Sequence, residues 1–438
     1  MFAFLKAHVG QHRILGGAAV LAVTQAAASV AGLLRDRLLN QTFSGDLSVV
    51  DAYIASFRPS DLLFQLTVMS GIATVLVPLL ARAHAKGGDS SDLLSSVMSI
   101  GSLVFGALAL AFGLLFPYVA PALVDFDGRS LELYIQFGRI ALLTNFLFVC
   151  GNSLGQYLVT VQKYWLYGLT PVLYTAGTIM GTLWLTPAYG PLGPMLGTLG
   201  GAVVYVLIRL VGAVWSGYRP RLRFWDPDLS TMGLLMLPRM AALAVLQLQL
   251  LLFDTIASGL SPGSIVVNSN ARNFQSFVVG VIGIALAQSA FPLMSQAAAR
   301  GEKDRFVLYV RKGVTTIVAL TVPAAIALVV ATPIAAKLVH IDSVYASFSA
   351  AILVYAVSIP FESLNHLVLR SYYSLHVTAL PAVLSVVNGA IAIAVAWALA
   401  PHIGVQAIPL GFLLGQAISL AGLAALLPFA TRRTLRPA

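Results

Sequence analysis

Pro78-Leu-Leu-Ala-Arg-Ala-His-Ala-Lys-Gly87 returns 214 residues later as Pro292-Leu-Met-Ser-Gln-Ala-Ala-Ala-Arg-Gly301. Both strings close a long apolar run and open a polar loop. The match extends outward: Tyr164 to Pro171 pairs with Ser374 to Pro381 at an offset of 210, and Pro187-Ala-Tyr-Gly190 pairs with Pro401-His-Ile-Gly404 at 214. A fixed, long offset is the mark of an internal repeat. The chain is therefore built twice.

What repeats is membrane-spanning helix. Of 438 residues, 58% are hydrophobic and 10% charged, against about one quarter charged in soluble domains. Apolar runs such as 14–34, 94–116, 314–331 and 379–400 are long enough to cross the ~30 Å hydrocarbon layer as helices. A β-barrel needs ~10-residue alternating segments, and continuous Ala/Leu/Val/Gly runs are the opposite pattern. Hydrophobic spans fall near 14–34, 49–80, 93–117, 131–160, 165–186, 191–214, 231–258, 264–296, 312–332, 345–369, 378–400 and 405–428. The expectation is an all-α membrane protein of twelve transmembrane helices in two six-helix repeats, 1–214 and 229–438, joined by a linker at 215–228. An even number of spans per half gives both halves the same orientation. Such transporters place substrate in a central cavity near the midplane and alternate access.

The net charge of +10 is a topology signal. Lys6, Arg13, Arg82, Lys86, Arg219, Arg221, Arg223, Arg300, Lys303, Arg311, Arg432 and Arg433 share the side of the termini, whereas the opposite loops hold little beyond Arg129 and Lys337. The positive-inside rule then puts both termini in the cytoplasm. No basic stripe is interleaved with aromatics as a nucleic-acid groove requires. The first span lacks a small-residue cleavage site and reads as a retained helix. The single cysteine, Cys150, excludes a disulfide framework and a Cys-based zinc site. The segment Arg300–Gly313 mixes charge with Phe306, Val307 and Tyr309 and reads as a short helix lying on the cytoplasmic surface.

Several strings imitate chemistry. Gly151-Asn-Ser153-Leu-Gly155 fits the nucleophile-elbow spacing but lies inside a span, where it reads as helix packing. Asp125-Phe-Asp127 is an acidic pair with no further ligands, hence a solvated loop. Gly193, Gly197 and Gly201 line one helix face and invite close backbone approach.

Charges inside spans carry more information, because each is costly at a helix centre and is usually functional. Arg35, Arg37, Arg58, Asp61, Arg139, Arg209, Arg239, Asp254, Arg272 and Glu362 are of this kind. Arg139 and Arg209 stand within snorkelling range of a membrane face. Arg58 and Arg272 do not, and each precedes its repeat proline, Pro78 or Pro292, by twenty residues. They are repeat-equivalent, one guanidinium from each half, and should face each other. Asp36 and Asp51 are within reach as partners. Asp254 has no arginine at helical spacing, and Asn388 is the lone amide of the eleventh span.

At these residues the chain resembles the MurJ/MviN lipid II flippase family of the MATE-like multidrug/oligosaccharidyl-lipid/polysaccharide exporter superfamily. The stretches are Gly32-Leu-Leu-Arg-Asp36, Val50-Asp-Ala-Tyr-Ile-Ala-Ser-Phe-Arg58, Asp254-Thr-Ile-Ala-Ser258 with Asn270-Ala-Arg272, and Arg370-Ser-Tyr-Tyr-Ser374. The resemblance implies a MATE-like fold and a polyprenyl-diphosphate-linked glycan as substrate. It implies substrate-binding roles for Arg35, Arg58, Arg272, Asp51 and Arg239, and a sodium or proton coupling site at Asp254 and Asn388. It implies no enzyme activity and no other cofactor. Cell-wall synthesis proteins become expected partners and the bacterial cytoplasmic membrane the expected location. The chain departs from the family's pattern at Ser29, Phe64 and Gln65, where family members often carry basic residues. Two C-terminal helices usual in the family have no counterpart after the twelfth span. An organic-cation exporter and a non-transporting scaffold are the alternatives. The exporter calls for buried carboxylates as counter-ions, whereas buried bases predominate here, and the scaffold leaves the buried arginines without a purpose.

Overall fold

The computed structural model of the chain describes residues 2–435 apart from 70–71, 73–75 and 86–89, and describes backbone alone for 2–19, 83–85 and part of 231–242. Among the described residues there is no strand. The helices are α1 (Phe2–Thr42), α2 (Ser48–Phe64), α3 (Val77–Ala85), α4 (Ser91–Leu123), α5 (Gly128–Thr160), α6 (Tyr164–Met180), α7 (Thr186–Tyr189) and α8 (Leu192–Trp215), then α9 (Asp228–Ser258), α10 (Ser264–Val278), α11 (Ala285–Ala299), α12 (Lys303–Val330), α13 (Thr332–Val339), α14 (Tyr345–Ser374), α15 (Ala379–Ile403) and α16 (Ala407–Thr434). With α6 and α7, and α10 and α11, each taken as one rod, α2 and α3 assigned to one span, and α13 as a short helix in a loop, the described helices fall on the twelve expected spans. By length and composition seven stretches qualify outright as membrane-crossing, Ala379–Thr434 counting as one.

Widened π-helical turns occur at Gln65–Met69, Gly181–Leu185 and Val279–Ile284. The first and third are repeat-equivalent, each starting seven residues after its arginine, Arg58 or Arg272. Such turns mark functional helices, and here they lie between the arginine and the repeat proline, Pro78 or Pro292.

The chain divides into two compact units, Met1–Gln247 and Leu248–Ala438. The boundary falls inside α9. In the first unit α5 packs on α2, α4 and α8, and α6 packs on α1 and α8. The α6–α8 contact is backbone on backbone: a Cβ on Gly177 would lie 2.5 Å from the Gly201 Cα, and one on Gly197 would lie 2.5 Å from the Gly181 Cα. The glycine stripe of α8 thus meets a second one on α6, as small-residue helix packing in membranes requires. In the second unit α14 packs on α10, α11, α12 and α16, and α15 lies on α16.

Two local expectations change. Arg300–Gly313 does not form a separate surface helix. Its residues from Lys303 onward are the first turns of α12, with Phe306 buried, Tyr309 packed against the same core and Val307 exposed. Arg209 does not snorkel either: it is 1% exposed. Its Nε donates to Thr170 Oγ1 (2.8 Å), Nη1 to the Gly151 carbonyl (2.9 Å) and Nη2 to the Tyr167 carbonyl (3.1 Å). The rings of Tyr205 and Tyr167 lie 4.0 and 4.9 Å from its guanidinium carbon. A Cβ on Gly155 would stand 2.4 Å from Nη1. The Gly151-Asn-Ser153-Leu-Gly155 string is therefore helix, and its glycines give the guanidinium space and an acceptor.

The linker after α8 is extended and fastened to α4. The amides of Arg219, Arg221 and Arg223 donate to Ser91, Ser95 and Ser99 Oγ at 3.1, 3.3 and 3.4 Å. Two residues of extended chain advance about 6.6 Å and four of helix about 6 Å, so alternate amides keep register with every fourth serine. Ser96 donates to the Trp225 carbonyl, and Arg221 and Arg223 both reach Asp92.

Candidate functional site

Each unit has an arginine with an acid within its electrostatic reach, and an amide that bonds both that acid and a serine. In the second unit the group joins α10 to α14. Arg272 Nη1 and Nη2 donate to Glu362 Oε2 and Oε1, each at 3.0 Å, in the two-pronged geometry that suits guanidinium and carboxylate. Gln275, fully buried and one turn after Arg272, accepts from Arg272 Nη1 at 2.7 Å. Its own Nε2 donates to Glu362 Oε2 at 2.6 Å and to Ser358 Oγ at 3.3 Å. The ring of Phe412 lies 3.9 Å from the guanidinium carbon, close enough for cation–π attraction. The Arg272 side chain keeps 24% of its surface exposed and Glu362 13%.

In the first unit the group joins α2 to α5. Asp61 stands one turn after Arg58, which interacts with it electrostatically. Asn145 Nδ2 donates to Asp61 Oδ1 at 2.9 Å and to Ser60 Oγ at 2.7 Å. The two groups have the same members in exchanged places. The residue three after the arginine is the acid in the first unit and the amide in the second. The residue across on the fourth helix of the half is the amide in the first and the acid in the second.

Arg35 near the end of α1 donates through Nε and Nη2 to Asp36 Oδ1 at 2.9 and 2.6 Å, as expected for that pair. Tyr53 and Tyr174 lie within its electrostatic reach. The Tyr53 hydroxyl bonds Thr198 Oγ1 at 2.9 Å, which bonds Thr178 Oγ1 at 2.7 Å, so a buried hydroxyl chain ties α2, α6 and α8 beside this arginine. Asp51 is buried in the first turn of α2, where the positive end of the helix dipole favours a carboxylate. Arg239 lies outside the described residues. Asp254 is buried within electrostatic reach of Tyr355, whose hydroxyl donates to Asn268 Oδ1 at 2.7 Å. Asn388 sits on α15 against Gly415 of α16, its Oδ1 buried without a hydrogen-bond partner. Among the described residues no three His, Cys, Asp or Glu side chains group as metal ligands.

The pairing of Arg272 with Glu362 escapes a reading of helical spacing because its members are ninety residues apart. The available signal was that Glu362 is a lone acid inside an apolar span, since such a charge demands a partner of opposite sign.

This architecture defines a class, the transporters of the MATE-like fold. A solved lipid II flippase MurJ in an inward closed conformation superposes with TM-score 0.78 at 18% identity, over 93% of this chain and 87% of that one. A MATE family multidrug transporter in an inward-facing conformation gives TM-score 0.78 at 13% identity, over 93% and 95%. Within the class the family is specific: the model of the family "Lipid II flippase MurJ" matches residues 40–435, and the chain belongs to it. A probable lipid II flippase MurJ of Bdellovibrio bacteriovorus is 25% identical over 95% of this chain and 82% of its own length. The lipid II flippase MurJ of Burkholderia cenocepacia is 25% identical over 73% of this chain and 64% of its own.

Proposed function

We propose that the chain moves lipid II, a polyprenyl-diphosphate-linked glycan, across the bacterial cytoplasmic membrane by alternating access, with both termini cytoplasmic. Arg58, Arg272 and Arg35 are the diphosphate ligands, with Asp51 and Arg239 completing the site. The observation that carries this reading is that Arg35 and Arg272 are held in the membrane-spanning part by carboxylates, Arg272 also by an amide, while remaining partly open, and that Arg58 stands within electrostatic reach of Asp61. A lipid diphosphate carries about two negative charges that must shed water to cross, and guanidinium is permanently charged and bidentate toward phosphate oxygens. Glu362 and Asp36 then serve as resident anions that keep the arginines neutralised between cycles. The substrate's differential interaction with the paired and unpaired arrangements supplies the free energy that a change of state requires. The same pairing disfavours the organic-cation exporter, since Glu362 and Asp36 are already engaged with arginine.

Asp254 and Asn388 are proposed to carry the coupling ion, sodium or proton. The protein acts as a transporter and not as an enzyme. The test of the substrate is native mass spectrometry of gently solubilised protein. A co-purified polyprenyl-diphosphate sugar is expected, and organic cations alone at the site would overturn the reading.

A further inference from the structure

We propose that the furrow between α4 and α5 binds an anionic phospholipid, with its phosphodiester on Arg139 and one acyl chain laid along Gly106–Gly113. This does not depend on what the protein transports. The furrow encloses about 620 Å³. Gly106 and Gly113 form its floor, and Leu110, Leu114, Leu143 and Phe146 its walls. The glycines set the depth: a Cβ on Gly106 would stand 3.0 Å from the Phe146 ring, and one on Gly113 would stand 3.5 Å from Leu142 Cδ1. Leu110 and Leu114 are 67% and 65% exposed, so the furrow opens outward to lipid.

Arg139 closes one end. Pro117 has no N–H to offer the Gly113 carbonyl four residues earlier, and Arg139 Nε supplies the missing donor at 3.1 Å. That bond fixes the guanidinium over the furrow. Among the described residues nothing else bonds it, which leaves Nη1 and Nη2 available. Arg272 has Glu362, Arg35 has Asp36, and Arg209 has three neutral acceptors, but this lipid-facing cation has a single carbonyl. A permanent charge in such surroundings calls for a counter-ion, and a phosphodiester accepts both remaining prongs. The level suits a headgroup. Tyr118, five residues or about 7.5 Å along α4 from Gly113, is 83% exposed and matches the aromatic belt at a membrane interface.

The test uses the full chain in micelles, with dioleoyl-phosphatidylglycerol and dioleoyl-phosphatidylcholine as probes, read by thermal unfolding and by lipid retention in native mass spectrometry. Phosphatidylglycerol should raise the unfolding temperature and be retained more than phosphatidylcholine, because a ligand that binds the folded form stabilises it. Arg139→Gln should abolish the difference and lower phosphatidylglycerol retention about tenfold, the value of one charge-assisted hydrogen bond. Arg139→Lys should restore part of it. Leu114→Trp, which fills the furrow and leaves Arg139 in place, should lose retention as well and covers the case in which Arg139→Gln does not fold. Three outcomes would overturn the proposal: equal response of the parent to both lipids, Arg139→Gln losing stability equally in both as a carbonyl cap alone would predict, or displacement of the bound lipid by a polyprenyl diphosphate.

Discussion

The exchanged placement of acid and amide in the two units makes a sharp prediction about the Arg272 group. Gln275→Glu alone would set a second carboxylate where the Gln275 Nε2 now lies 2.6 Å from Glu362 Oε2. Two carboxylates that close cannot both ionise, and the lost charge-assisted hydrogen bond costs about 2 kcal/mol. Glu362→Gln alone removes the counter-charge from Arg272. Breaking a fully buried pair costs about 3–5 kcal/mol, and discounting for the 24% and 13% exposure of the two side chains leaves about 2 kcal/mol. The double exchange rebuilds the first unit's arrangement: the acid on the arginine's own helix, 2.7 Å from Nη1 at the present Gln275 Oε1 position, and the amide across from it. It should lie within about 1 kcal/mol of the parent, a coupling of about 3 kcal/mol, well outside the scatter of independent sites. Denaturation of the four proteins in mixed micelles gives the cycle directly. A double variant as unstable as the sum of the singles would show that acid and amide are not interchangeable in this group.

Other expectations follow from the same packing. Gly177→Val drives a branched side chain into the α8 backbone and should leave little monodisperse protein on gel filtration, while Gly200→Ala, which meets open space, should be silent. Arg209→Lys cannot reach Thr170, Gly151 and Tyr167 together and should lose nearly as much stability as Arg209→Met, about 3 kcal/mol for two or more buried bonds. Ser91, Ser95 and Ser99 changed together to alanine should release the linker and allow tryptic cleavage after Arg221 and Arg223, whereas Asp92→Asn alone should not, because exposed ion pairs contribute under about 1 kcal/mol.

The twelve spans and the twofold build were legible because apolar run length and the proline-glycine repeats are local signals. The repeat even located the equivalent arginines, and with them the paired π-helical turns, which no periodicity announces. Arg35 with Asp36 was readable because the two are adjacent. The Arg272–Glu362–Gln275 group was not, since long-range partners are set by packing of α10 on α14. Arg209 failed for a related reason. Its distance from the helix end fitted snorkelling, and only the glycines of α5, nearly sixty residues away, make a buried site for it. The serine ladder of α4 was present in the sequence at four-residue spacing, and its partner is the linker backbone, which spacing alone does not name.

Flipping of fluorescent lipid II by the protein reconstituted in vesicles measures whether the arginines of the two repeats handle the diphosphate. Arg58→Ala and Arg272→Ala should each abolish flipping while gel filtration shows a folded protein, and Arg→Lys at either position should rescue only in part because the fork is lost. Normal flipping by either alanine variant, or restored flipping when Arg58→Asp is combined with Asp51→Arg, would contradict the account.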